Sequence, residues 1–116
     1  MRRGELKVWV EESDGIPTVR AEGEIDLSTV DTLRSAASEV VRSGPQRVIF
    51  DLRRVTYIDS SGLGILVATR KRVGAGQHAV TVITDQPAVL QSLEITGLDR
   101  ILNVKRDVPV AQSRRS

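Results

Sequence analysis

The sequence predicts an α/β domain built on a largely parallel sheet, and three observations carry that reading. After two opening strand-like segments, strand and helix signals alternate along the chain, the order that gives parallel neighbours joined by right-handed crossovers. The segment Arg47-Val48-Ile49-Phe50-Asp51-Leu52 is a nearly continuous apolar run bounded by charges, which favours a central strand. Apolar residues make up 40% of the 116 residues, yet only Trp9, Tyr57 and Phe50 are aromatic. The core must therefore be assembled from Val, Ile, Leu and Ala. A chain of this length buries roughly two-thirds of its unfolded surface, enough for one real core.

The elements follow in order. Leu6, Val8 and Val10 alternate with Lys7, Trp9 and Glu11, the period-two signature of a half-buried strand. Asp14-Gly15-Ile16-Pro17 reads as a turn, and Thr18 to Gly23 returns as the second arm of a hairpin. Ser28 with Asp31 three places on predicts a capping box that opens a helix. On that helix Val30, Leu33, Ala37, Val40 and Val41 share one face, and Ser43-Gly44-Pro45 ends it. Arg53-Arg54 is expected in a solvated loop after the central strand. A second helix runs from the Asp59–Gly64 turn to about Val73, with Leu63, Leu66, Val67 and the stem of Arg70 facing inward. Gly74-Ala75-Gly76 terminates it. Ala79 to Ile83 forms another buried strand, Asp85 caps a short helix bearing Val89, Leu90 and Leu93, and Gly97 breaks that helix. Ile101, Leu102 and Val104 give a last strand. No linker, repeat or low-complexity segment intervenes. The expected organisation is a single domain over 1–116, with a core at about 5–104 and a polar tail at 105–116.

Composition excludes several chemistries. There is no cysteine, so disulfides and thiolate metal sites are ruled out. No apolar run approaches the ~20 residues that span a bilayer, and Met1-Arg2-Arg3-Gly4-Glu5 lacks the apolar stretch of a secretion signal. A cytoplasmic protein without membrane contact is expected. The net charge of only +2 gives no reason to invoke nucleic acid.

Asp59-Ser60-Ser61-Gly62-Leu63-Gly64 is the segment that breaks local rules. Two glycines in the first turn of a helix cost roughly 1 kcal/mol each relative to alanine. Tight packing of helix on sheet, with Asp59 or Ser60 as a plain cap, is one explanation. The other is a serine hydroxyl held beside free backbone amides at the positive end of a helix.

The stretch Val48-Ile-Phe-Asp-Leu-Arg-Arg-Val-Thr-Tyr-Ile-Asp-Ser-Ser-Gly-Leu-Gly-Ile-Leu resembles the signature of the STAS domain, and more narrowly of bacterial anti-sigma factor antagonists. Gly23-Glu24-Ile25-Asp26 is similar to that family's second strand and its exit loop. Leu93-Glu-Ile-Thr-Gly-Leu-Asp-Arg-Ile-Leu is similar to its third helix and last strand. The resemblance implies the STAS fold: a mixed, mostly parallel sheet of four to five strands with helices packed mainly on one face. It also implies a partner switch that is not an enzyme. The unphosphorylated antagonist binds an anti-sigma factor that is itself an ATP-dependent serine kinase, and so frees the sigma factor. Phosphorylation of Ser60 breaks the complex, and a metal-dependent serine phosphatase resets it. Asp59, Ser61, Gly62 and Gly64 neighbour the switch. The implied partner surface comprises Gly23, Glu24, Asp26, Ser28, Ser60 and Leu63, with no cofactor. Family members usually end in another amphipathic helix, for which Asp107-Val-Pro-Val-Ala-Gln-Ser-Arg-Arg-Ser carries Pro109 and too few apolar residues.

Two other functions compete. STAS-like domains also serve as small-ligand modules for nucleotide or lipid in transport or signalling complexes, but Asp59-Ser-Ser-Gly-Leu-Gly lacks the long glycine run and lysine of a phosphate cradle. An enzyme of flavodoxin-like shape would need a catalytic constellation, and none is visible. His78 stands alone, Arg70-Lys71-Arg72 suits a helix C-terminus, and no cleft-forming segment pairs Asp51 with Asp59 as acid and base.

Overall fold

The computed structural model describes residues 5–74, 76 and 78–106. Strand β1 (Leu6–Ser13) turns into β2 (Ile16–Ile25) through Asp14 and Gly15. Both take positive φ, 54° and 80°, the two-residue geometry whose twist matches a hairpin. Helix α1 (Val30–Arg42), β3 (Val48–Ile58), α2 (Ser60–Val73), β4 (Val80–Ile83) and α3 (Pro87–Ile95) follow. A 3-10 turn at Leu98–Arg100 then leads to β5 (Asn103–Lys105). Of the polar tail expected at 105–116, Lys105 instead closes β5, and residues 107–116 lie outside the described residues, as does Ala75.

The five strands stand in the order β1-β2-β3-β4-β5. Only β1 and β2 are antiparallel; the other neighbours run parallel. Each crossover therefore steps one strand in the same direction. With right-handed connections that places α1, α2 and α3 on one face of the sheet. Val19, Phe50, Val82 and Val104 are successive register partners under those helices. Leu33, Leu66, Val89 and Leu93 close over them, all fully buried.

The central strand differs from expectation in two ways. Its apolar run is an alternation: Val48, Phe50 and Leu52 are buried against the helices, while Asp51 points to the opposite face. There Asp51 is only 5% exposed because two arginines cover it. Arg20 Nη1 and Arg53 Nη2 each donate to Oδ2 at 2.7 Å, and Arg53 Nε donates to Oδ1 at 2.9 Å. Burial pushes the Asp51 carboxyl up, but the Arg53 hydrogen bonds and then the Arg53 and Arg20 charges outweigh it and hold it below the ordinary carboxylate range. Arg53 and Arg54 are thus not in a loop. The strand continues through them to Ile58, and register shifts against β2 hide its period-two pattern.

Two helix starts also differ. The cap of α1 is Thr29, not Ser28, and the Asp31 carboxylate turns to Arg34. For α3 the cap is Gln86, whose amide donates to the Thr84 hydroxyl at 3.1 Å, so Asp85 plays no capping part. On α2 the inward face holds Leu63 and Leu66 as expected. Ile65 and Thr69 join them, while Val67 is only half-buried. Thr69 satisfies its buried hydroxyl on the Ile65 carbonyl at 2.7 Å. No helix among the described residues is long and apolar enough to cross a membrane.

Candidate functional site

The C-terminal ends of β2 and β3 carry two loops that lock together. Asp59 leaves β3 in an extended conformation and caps α2. Its Oδ1 accepts the Ser61 amide at 2.9 Å, the Gly62 amide at 3.3 Å and the Ser61 hydroxyl at 2.5 Å. The neighbouring serines are thereby made different. Ser61 is half-buried with its hydroxyl committed to Asp59, whereas Ser60 is exposed and, among the described residues, its hydroxyl has no hydrogen-bond partner. The Asp59 amide donates to the Ile25 carbonyl at 3.0 Å and fastens this turn to the end of β2.

That end of β2 is knit by its own polar groups. The Asp26 carboxylate accepts the Ser28 amide at 2.9 Å and the Ser28 hydroxyl at 2.7 Å. The Ser28 hydroxyl bond is the main cause holding Asp26 below its ordinary value; slight desolvation opposes it and the Thr29 contacts assist. Buried Thr29 donates its hydroxyl to the Glu24 carbonyl at 2.9 Å and accepts the Asp26 amide at 3.0 Å. The turn before α1 is therefore rigid without a side-chain cap on the helix itself.

The two glycines of α2 have different causes. A Cβ on Gly62 would stand 2.5 Å from Ile25 Cγ2 and 2.7 Å from Ile58 Cγ1, so the helix start is pressed onto the strand ends. A Cβ on Gly64 would meet nothing within 4 Å. Gly64 lies bare on the exposed side of the first turn. Gly23 combines φ of 131° with a Cβ position 2.3 Å from the Glu5 carbonyl oxygen, which admits only glycine.

The structure brings Gly23, Glu24, Asp26 and Ser28 beside Asp59, Ser60 and Ser61. Leu63, inward by helical spacing but part of the partner surface that the resemblance implies, is 6% exposed and packs into the core, so it drops out of that surface. Two residues went unnoticed in the sequence. Leu27 is 80% exposed and Tyr57, in register with Glu24, is 48% exposed. Leu27 follows Asp26 in the turn after β2 and Tyr57 precedes Ile58 at the end of β3, so both expose apolar surface at the same end of the sheet as Ser60. The signal for Leu27 was an apolar side chain between two polar loop residues, outside any periodic pattern.

Residues 7–111 match the model of the STAS domain family. The chain is 35% identical over 95 residues to the anti-sigma-F factor antagonist RsfB of Mycobacterium tuberculosis, covering 78% of each protein. It is 27% identical over 105 residues to the anti-sigma-B factor antagonist of Staphylococcus aureus, covering 90% of this chain and 97% of that one. Among solved structures, an anti-sigma factor antagonist from Mycobacterium paratuberculosis superposes with a TM-score of 0.84 at 31% identity, covering 94% of this chain and 92% of the other. The family model spans most of the chain and the relatives agree with it: the chain belongs to the STAS domain family.

Proposed function

We propose that this protein is an anti-sigma factor antagonist of the cytoplasm, whose unphosphorylated form binds an anti-sigma factor and so releases a sigma factor. Ser60 is the switch: an ATP-dependent serine kinase, the anti-sigma factor itself, phosphorylates it and ends the complex. A serine phosphatase restores the hydroxyl. The protein catalyses nothing itself and holds no cofactor.

One observation carries the reading. Asp59 engages Ser61 and leaves the adjacent Ser60 exposed at the start of a helix, at the end of the sheet where Leu27 and Tyr57 are also exposed. A kinase needs a reachable hydroxyl, and a partner needs apolar anchors around it. The same capping weighs against a nucleotide cradle, because the Ser61 and Gly62 amides that would hold a phosphate are taken by Asp59.

The test pairs the protein with the anti-sigma kinase of its own host. Binding is measured by calorimetry, then ATP is added and the modified residue mapped by fragmentation. A tight complex that dissociates as Ser60 becomes labelled supports the reading; no complex, or label on another residue while Ser60→Ala still switches, overturns it.

A further inference from the structure

Strand β1 is the outer edge of the sheet. From Leu6 to Ser13 it pairs with β2 residue for residue, without a shift. Its other hydrogen-bonding side faces away from the sheet, and among the described residues nothing pairs with it. Edge strands are normally blunted by brevity, charged side chains, proline or bulges, and β1 does carry Lys7, Glu11 and Glu12. The opposite edge, β5, is three residues long. In contrast β1 has eight residues, no proline and no bulge, and it exposes Trp9 at 38% and Val10 at 47%.

The residues of this edge complement themselves. When two copies of β1 run antiparallel about a two-fold axis through Trp9, Lys7 of each stands opposite Glu11 of the other. Val8 stands opposite Val10, and the two Trp9 rings meet at the centre. Glu11 already accepts the Trp9 indole N–H at 3.0 Å and pairs with Arg20 at 2.7 Å on this polar face, so the second copy's Lys7 would join an existing polar cluster. Shifting the axis to Val8 sets Glu5 against Glu11, and shifting it to Val10 sets Trp9 against Glu11, so one register alone gains both opposite-charge pairs. Cross-strand pairs of this kind are the unit of sheet stabilisation.

We propose that β1 pairs with β1 of a second copy in this register, joining two sheets into one continuous sheet. Leu6 lies opposite Gly23, so β1 begins at the Ser60 end of the domain. The two-fold therefore carries the second Ser60 to the far end of the joined sheet, and both switch sites stay open.

Sedimentation velocity over a wide concentration range tests this on the full chain, with circular dichroism as the check on folding. The wild type is expected to show a reversible dimer, with the single Trp9 shifting its emission to shorter wavelength as the dimer forms. Lys7→Glu and Glu11→Lys each place like charges opposite one another twice, and each alone should associate at least about tenfold more weakly. Mixed together, the two variants restore both opposite-charge pairs and should form the heterodimer. A wild type that stays monomeric throughout, a dimer that ignores both charge reversals, or a mixture that associates no better than its components would overturn the proposal. None of these results depends on the anti-sigma factor, so the dimer and the switch fail separately.

Discussion

Ser61 donates its hydroxyl to the Asp59 carboxylate at 2.5 Å, and that bond separates two adjacent serines into a fixed one and a free one. The same oxygen caps α2 through the Ser61 and Gly62 amides. Replacing Asp59 by alanine should cost about 1 kcal/mol, the usual value of an N-cap. It should also release the Ser61 hydroxyl. We expect denaturant unfolding to show the stability loss, and kinase labelling of Asp59→Ala to spread from Ser60 onto Ser61. Labelling that stayed wholly on Ser60 would mean that the capping bond does not enforce the choice.

Gly62 and Gly64 should respond in opposite directions to the same substitution. Gly62→Ala drives a methyl group into Ile25 and Ile58 and should destabilise the fold by about 1–3 kcal/mol. Gly64→Ala meets open space and gains helix propensity, so it should stabilise by about 0.5–1 kcal/mol. Its methyl group would still project from the exposed first turn beside Ser60. Chemical denaturation and anti-sigma affinity measured on the same samples should therefore show Gly64→Ala as more stable and weaker binding. Tighter binding would place the docking surface elsewhere.

The buried Asp51 gives the fold a pH dependence with a definite sign. Its folded-state pKa lies below the ordinary value of 3.8, so its stabilisation is present above that value. It is lost as pH falls through the lowered folded value. Asp51→Asn should cost about 2 kcal/mol at neutral pH, the scale of hydrogen bonds to a charged group. Arg20 and Arg53, both about a third exposed, recover part of their hydration in the variant. Thermal unfolding of both proteins should show a gap at pH 7 that narrows as pH falls below 3.8. A gap independent of pH would mean that packing, not charge, sets the loss.

Leu27 is 80% exposed in a turn held by Asp26, Ser28 and Thr29 rather than by its own side chain. Leu27→Asp should leave the melting temperature unchanged and weaken anti-sigma binding at least about tenfold, as for a truncated interface anchor. Equal affinity for variant and parent would remove Leu27 from the docking surface.

The order of strands and helices was legible because each buried face repeats at the period of its element. Val30, Leu33, Ala37 and Val40 on α1 are the clearest case. The extent of β3 was not, since Arg53 and Arg54 read as solvent-facing until Asp51 is seen beneath Arg53 and a register shift breaks the alternation. Helix caps were misread where a rival acceptor lay nearby. Ser28 turns back to Asp26 instead of forward into α1, and Thr84 rather than Asp85 serves Gln86. In the Asp59–Gly64 turn, the motif pointed to Ser60, but only geometry gives the reason Ser61 differs from it. For Leu63 helical spacing and the motif pointed opposite ways, inward and to the partner surface, and the burial follows the spacing.

Phosphorylation of Ser60 should block docking without refolding the domain. A phosphoserine adds about −1.5 to −2 charges, and a helix N-terminus favours such charge by about 0.3–1 kcal/mol. Here that gain is limited, because Asp59 already occupies the Ser61 and Gly62 amides and adds a like charge beside the phosphate. The effect on stability should therefore be small in either direction. Binding is different: the dianion would have to enter an interface shaped for a hydroxyl, with the like charge of Asp59 beside it. A hundredfold loss of affinity requires about 2.8 kcal/mol, and burying an unpaired charge readily exceeds that. Ser60→Asp should fold like the parent and bind the anti-sigma factor poorly, while Ser60→Ala should bind and never be released by ATP. Melting temperatures and affinities of both variants decide the matter. A Ser60→Asp protein that loses binding only together with its fold would assign the switch to unfolding instead of docking.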